Sequence, residues 1–336
     1  MADLRGTVVI ERFESAALRD NPLGDPATRQ VPVYLPPGYE ADRERRYPVI
    51  YWLHGFTGTA LRSAQESPWV PSLPRQMERA ISEGAPPAIL VLADGWTRFG
   101  GSQYLNSPAN GRYEDSVARD LVAFVDARFR TLPLAAHRGI NGKSSGGYGA
   151  LVLGMRHPDV FGAVASHSGD AAFEYCYLPD FPHAQRALEK AGGVDAFLDQ
   201  FLALVKKNDA IQALNVVAMA MAYSPDPAAG RYRVQMPFDL YSGALREEVW
   251  ARWLALDPVR LADQHREALR ALRLLYFECG LRDQYNLHLG ARMLHRQLEA
   301  LAVPHEYQEF DDTHTDINYR YVESLARLAR ALAPTA

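Results

Sequence analysis

The sequence predicts an α/β protein: a mostly parallel central sheet flanked by helices, carrying one helical insertion. Three observations predict it. Short apolar runs ending in turn residues alternate with segments of helical period, the pattern of strands joined by helical crossovers. Two of those runs, residues 47–53 and 88–93, are apolar throughout, as strands buried on both faces require. Residues 171–271 then break the alternation for too long, and are too apolar, to be a loop.

Taken in order, Thr7–Ile10 reads as a first strand. The stretch around it, Met1–Arg12, carries Asp3, Arg5 and Glu11 and no apolar core of the kind a secretory leader needs, which makes cytoplasm the expected compartment. Gln30–Leu35 is strand-like and stops at Pro36-Pro37-Gly38. The two buried strands, 47–53 and 88–93, end in His54-Gly55 and Asp94-Gly95, with a short helix expected at 74–83 between them. A polar loop rich in Gly, Ser and Asn follows from Trp96 to Gly111. From Glu114 to Arg130, Val117, Leu121, Phe124, Val125 and Phe129 keep helical spacing. A short strand at Arg138–Asn141 leads into Gly142-Lys143-Ser144-Ser145-Gly146-Gly147 and a small-residue helix that stops at Pro158. Phe161–Ser166 is the next strand. After the insertion, expected to be helical at 194–207 and 247–255, come a strand at Leu272–Glu278, a helix at Tyr285–Leu301, a strand at His305–Phe310 and a last helix at Ile317–Leu332.

Composition narrows the function classes. With 48% hydrophobic and 23% charged residues the chain is neither disordered, collagen-like nor a coiled coil. A net charge of −4 gives no electrostatic footprint for nucleic acid or an anionic membrane. No run of 18 apolar residues is present to cross a membrane. Two cysteines, Cys176 and Cys279, make no disulfide framework and read as free thiols in a reducing compartment. The length of 336 residues suggests about two domains.

Gly142-x-Ser144-x-Gly146 lies between a strand and a helix, the setting of a nucleophile elbow. A nucleophile on that tight turn projects out of the sheet, and the residues two before and two after it must be almost free of side chain for strand and helix to approach. Ser145 does not satisfy this, since Lys143 lies two before it. The same residues resemble the end of a phosphate-binding loop, but that motif needs glycine at 137, which is His.

An activated serine needs a base and an acid to orient it, in the chain order Ser, acid, His on this template. Asp283 follows the strand 272–278 and His314 follows the strand ending at Phe310, both at carboxyl ends of strands, where α/β sheets place their sites. Asp170 is the alternative acid and His167 the weaker rival base, better placed to line a pocket. The developing oxyanion needs two donors. The Ser145 N–H, at a helix start, supplies one. The turn Leu53-His54-Gly55-Phe56-Thr57-Gly58 supplies the other from Phe56.

His54-Gly55-Phe56, Gly142-Lys143-Ser144-Ser145-Gly146-Gly147, Gly280-Leu281-Arg282-Asp283 and the loop around His314 occur in that order. Together they make the chain resemble the putative-esterase family of α/β-hydrolases, which includes feruloyl esterases, S-formylglutathione hydrolase (esterase D) and the antigen 85 mycolyltransferases. The resemblance covers about residues 30–170 and 270–332. It implies the α/β-hydrolase fold, Ser144, Asp283 and His314 as catalytic triad, and the Phe56 and Ser145 amides as oxyanion hole. Lys143 stands where many members carry His or Leu, and Ser145 where Met is common.

The expected function is therefore that of a serine carboxylesterase working through an acyl-enzyme on small carboxylic esters, aromatic such as feruloyl or short-to-medium acyl. No metal or organic cofactor is expected, since His, Cys and Asp at ligand spacing are absent. Trp69, Trp96, His167 and Phe173 are the candidate pocket residues, with Phe99, Tyr175 and Tyr177 beside them. The Ser144-to-Asp283 span encloses the irregular stretch, so residues 1–170 and 272–336 are expected to build one catalytic domain and 171–271 a mostly helical cap. An apolar cap serves a homodimer interface as readily as a lid. The expected partner is a small-molecule ester, largely uncharged, with no nucleic acid and no membrane. Two other readings use the same residues: an acyltransferase with the same triad, and a non-catalytic binding protein on a hydrolase scaffold.

Overall fold

A computed structural model describes residues 4–334, the Asp209 side chain excepted. Residues 1–3 and 335–336, the outermost ends of the expected catalytic domain, lie outside the described residues. The strands are β1 (Thr7–Glu14), β2 (Thr28–Leu35), β3 (Val49–Leu53), β4 (Ile89–Ala93), β5 (Asn106–Ser107), β6 (Gly111–Arg112), β7 (Arg138–Lys143), β8 (Ala163–His167), β9 (Leu274–Gly280) and β10 (Glu306–Phe310). Eight form one sheet in the order β1-β2-β4-β3-β7-β8-β9-β10. β1, β2 and β4 pair antiparallel, and every pair from β4 to β10 is parallel. β5 and β6 make a two-stranded hairpin at the end of the loop expected at 96–111, reaching Arg112.

The period of two along each strand divides the interior. Val49, Tyr51 and Leu53 of β3 and Ile89, Val91 and Ala93 of β4 face one apolar cluster; Ile50, Trp52, Leu90 and Leu92 face another. The second cluster is closed by the helices Leu73–Ser82 and Tyr321–Leu332. The first is closed by the helix Ser145–Arg156, by the helical segment 113–128 and by the insertion. Segment 113–128 is not one α-helix: a π-helical stretch, Ser116–Leu121, separates Tyr113–Asp115 from Val122–Arg128.

Residues 171–271 are mostly helical, with 224–246 irregular, and among the described residues they hold no strand, only two isolated bridges. Their apolar side chains run without a break into the first cluster. The helix Ile211–Tyr223 buries almost its whole circumference. Phe173, Tyr177, Tyr223 and Trp253 stack in an aromatic group with centroids 4.8–6.0 Å apart. A segment holding this much of the common core is packed onto the sheet rather than tethered to it. Among the described residues no helix is long and apolar enough to cross a membrane.

Candidate active site

The turn after β7 sets the geometry. Ser144 takes φ 59° and ψ −126°, a region that costs a residue with a side chain about 1–3 kcal/mol. Its N–H donates to the His167 carbonyl at 2.9 Å, and its own carbonyl accepts from the Tyr148 N–H at 2.9 Å, so both sides of the turn are anchored. The glycines on either side are required by contact. A Cβ on Gly142 would lie 2.2 Å from the Gly146 carbonyl oxygen, and one on Gly146 would lie 2.0 Å from that of Leu53. The chain after β7 thus crosses against the end of β3 and brings Ser144 beside the turn that follows it.

His314 meets this serine from the loop after β10. Its Nε2 lies 3.1 Å from Ser144 Oγ, and its Nδ1 lies 2.8 Å from Asp283 Oδ2. The His314 N–H donates to Gln284 Oε1 at 3.0 Å, and Tyr285 packs edge-on against the ring at 4.8 Å. Asp283 is buried at 3% exposure, and its other oxygen accepts from the Tyr285 N–H at 2.9 Å. Burial alone would raise this carboxyl. The hydrogen bond and charge of His314, with the Tyr285 and Leu287 amides, outweigh burial and hold Asp283 below the ordinary carboxylate value. A carboxylate kept ionised against Nδ1 fixes the proton there and leaves Nε2 as acceptor toward Ser144 Oγ.

Asp170 is placed differently. Its carboxylate accepts from Gln103 Nε2 at 3.0 Å and from the Tyr177 hydroxyl at 2.8 Å, and it makes no hydrogen bond to His314. Burial raises its pKa, with these two bonds opposing. Several other histidines are engaged elsewhere: His137 with the Leu332 carbonyl, His157 with Glu114, and His295 with His305. Among the described residues no group of three or more His, Cys, Asp or Glu could hold a metal ion.

The turn 54–58 is braced from three sides. The Tyr104 hydroxyl donates to the His54 carbonyl at 2.8 Å, Gly95 N–H donates to His54 Nε2 at 3.0 Å, and Thr57 N–H donates to the Gly100 carbonyl at 2.9 Å. Phe56 and Ser145 line the same cavity as Ser144.

Ser144, Ser145, His314 and Asp170 line a cavity of about 620 Å³, together with Tyr177, Ile211, Asn215, Tyr285 and Leu287. Of the aromatic residues expected here, Tyr177 alone is among its lining. Trp69 stands 90% exposed on a surface loop. Trp96 borders a separate small cavity beside Arg29 and Asp94. Phe173 is fully buried and stacks on Tyr223 at 5.1 Å; Phe99 is buried edge-on against Tyr232. Tyr175 borders a separate cavity lined by Leu289, Met293 and Tyr307. His167 points away from the cavity, since strand alternation turns its ring to the opposite face. There Glu278 takes Nδ1 and Ser324 takes Nε2, each at 2.8 Å. The lining from 208–215 and the Gln284 contact carry no short motif, because they arise only when distant segments meet.

The model of a family described as Putative esterase matches residues 26–331. Esterase Rv1288 and Esterase MT1326, from two strains of Mycobacterium tuberculosis, are each 28% identical over 166 residues, 48% of this chain and 32% of theirs. The chain thus spans about a third of the length of these curated relatives. Among solved structures, a ferulic acid esterase aligns with TM-score 0.63 at 18% identity, covering 98% of this chain and 100% of its own. An S-formylglutathione hydrolase from Agrobacterium tumefaciens aligns with TM-score 0.60 at 15% identity, covering 99% and 98%. At such identities these likenesses show the fold, that of α/β-hydrolase esterases.

Proposed function

The chain belongs to the Putative esterase family of ester hydrolases, and on that premise we propose that it is a serine carboxylesterase whose nucleophile is Ser144, whose base is His314 and whose orienting acid is Asp283. One observation carries the reading: His314 bridges Asp283 at 2.8 Å and Ser144 Oγ at 3.1 Å, on a serine held in a strained turn.

In this mechanism His314 Nε2 takes the Ser144 proton as Oγ attacks the ester carbonyl carbon. The carbonyl oxygen gains the negative charge and receives the Phe56 and Ser145 amides, each donor contributing about 3–4 kcal/mol at the transition state. His314, now protonated and held by Asp283, gives its proton to the departing alcohol as the carbon–oxygen bond breaks. Water repeats the sequence on the acyl-enzyme and releases the acid. The 620 Å³ cavity, with Tyr177, Ile211, Tyr285 and Leu287 in its wall, supports an aromatic or short-to-medium acyl group, and the helical segment 171–271 acts as the cap that supplies part of that wall.

The test is hydrolysis of a p-nitrophenyl ester chain-length series and of methyl ferulate by the wild type and Ser144→Ala. The reading expects turnover with a preference for aromatic or short-to-medium chains, lost in the variant. Full activity in Ser144→Ala would contradict it.

A further inference from the structure

A second cavity, of about 650 Å³, adjoins the first, and Gly55, Phe56, Thr57, Lys143 and Thr315 line both. An ester has two halves that diverge from its carbonyl carbon. Two cavities meeting beside Ser144 can take one half each.

The second cavity mixes polar and apolar lining as the first does, and differs in adding Arg62 to the Lys143 that both share. Thr57, Ser63 and Asn318 line it, and so do two cations, Lys143 and Arg62. Neither cationic side chain makes an ion pair or a hydrogen bond among the described residues. The one carboxylate in the lining, Glu66, is taken by Arg75 at 2.5 Å. The acids across the shared wall are also engaged: Asp283 by His314, Asp170 by Gln103 and Tyr177, and Asp180 by Gln212 at 2.7 Å. Lys143 is half-buried and directly precedes the nucleophile. Burial lowers its ammonium pKa, while the charges of Asp283, Asp170 and Asp316 oppose that shift without pairing. A partly desolvated cation that feels these charges but makes no direct ion pair gains from a charge-assisted hydrogen bond.

We propose that the physiological ester carries a carboxylate on one of its halves, seated between Lys143 and Arg62 in the second cavity. This rests on the esterase reading and replaces the expectation of a largely uncharged substrate. That expectation came from the net charge of the whole chain, which says nothing about the local field of a cleft.

Twin esters test it. On the acyl side, 4-nitrophenyl pentanoate is compared with mono-4-nitrophenyl glutarate; on the alcohol side, methyl 4-acetoxybenzoate is compared with 4-acetoxybenzoate. Each kcat/KM is divided by the ester's alkaline hydrolysis rate. In the wild type one anionic ester should exceed its neutral twin about tenfold, the scale of one partly buried charge pair. Lys143→Gln should bring that ratio close to one, and Arg62→Gln should lower it several-fold. Arg62 is exposed, so its variant carries the test should Lys143→Gln not fold. Ratios at or below one for both pairs, or a ratio unchanged in the variants, would overturn the proposal. Absence of Ser144-dependent turnover of all four esters would instead overturn the esterase reading, and this proposal with it.

Discussion

Gly146→Ala is the sharpest perturbation of the site that leaves every proposed catalytic group in the sequence. The added Cβ would lie 2.0 Å from the Leu53 carbonyl oxygen, 2.5 Å from its carbon and 2.8 Å from the His54 carbonyl oxygen. All three are backbone atoms, at the end of a central strand, and ordinary contact starts near 3.4 Å. The helix start must therefore move away from the end of β3 by more than 1 Å. That motion separates Ser144 and Ser145 from the Phe56 turn, splitting the proposed oxyanion pair and lengthening the 3.1 Å reach to His314. Misplacement by about 1 Å costs on the order of 100-fold in rate, while overpacking costs about 1–3 kcal/mol in stability. Gly84→Ala is the control. Gly84 has φ +95° and nothing within 4 Å of its added Cβ, so strain of about 1–3 kcal/mol arises without displacing the site. Urea denaturation and p-nitrophenyl ester kcat/KM are measured on both. The two variants should lose similar stability, and Gly146→Ala alone should lose about 100-fold or more in kcat/KM. Comparable activity in the two variants would refute the reasoning.

Other consequences are open to direct measurement. Asp283→Asn should lower kcat/KM by about 10³–10⁴, as loss of the orienting carboxylate does in triads, whereas Asp170→Asn, which has no bond to His314, should cost about tenfold or less; the reverse order would exchange their roles. Glu278 is buried with His167, Arg320 and Tyr276; burial opposes its ionisation, but the His167 hydrogen bond and charge, then Arg320 and Tyr276, hold it at about 2 against an ordinary 4.5. A depressed carboxyl contributes its full stability above the unfolded value and loses it as pH falls from about 4.5 toward 2. Glu278→Gln should thus cost about 3–5 kcal/mol in urea denaturation at pH 7, a gap to the wild type that is steady down to about pH 5 and narrows as pH falls from about 4.5 toward 2; a gap that does not narrow below about pH 4.5 would contradict the assignment. Phe173→Ala should destabilise by about 3–5 kcal/mol through the cavity it opens in the aromatic group, and a melting temperature within two degrees of the wild type would show that Phe173 is not in the core.

The elements were legible where a single period ruled them. Strands such as β3 and β4 are apolar at every position, and the glycines of 142–147 announce a tight strand-to-helix turn. Asp283 and His314, which the fold brings together at Ser144, stand out in the sequence by their order and by their positions after late strands, and their roles are proposed. The cavity wall was not. Trp69, Trp96 and Phe173 are near the right strand ends in sequence, but whether an aromatic side chain faces ligand, core or solvent depends on which distant helix covers it. The insertion decides this by burying Phe173 against Tyr223 and sending Ile211 and Asn215 to the site. His167 shows the same limit at shorter range. One step in strand register places its ring on the far face, where Glu278 and Ser324 hold it, and leaves only its carbonyl to Ser144. The short hairpin of β5 and β6 and the π-helical stretch are too brief or too local for periodicity to show.

The central claim is that Ser144 is the activated nucleophile. The direct measurement is fluorophosphonate labelling of the native protein, with the modified peptide located by mass spectrometry. The account predicts stoichiometric phosphonylation at Ser144, no labelling of Ser144→Ala, and much slower labelling of Asp283→Asn. Modification at another serine, or undiminished labelling of Ser144→Ala, would contradict it.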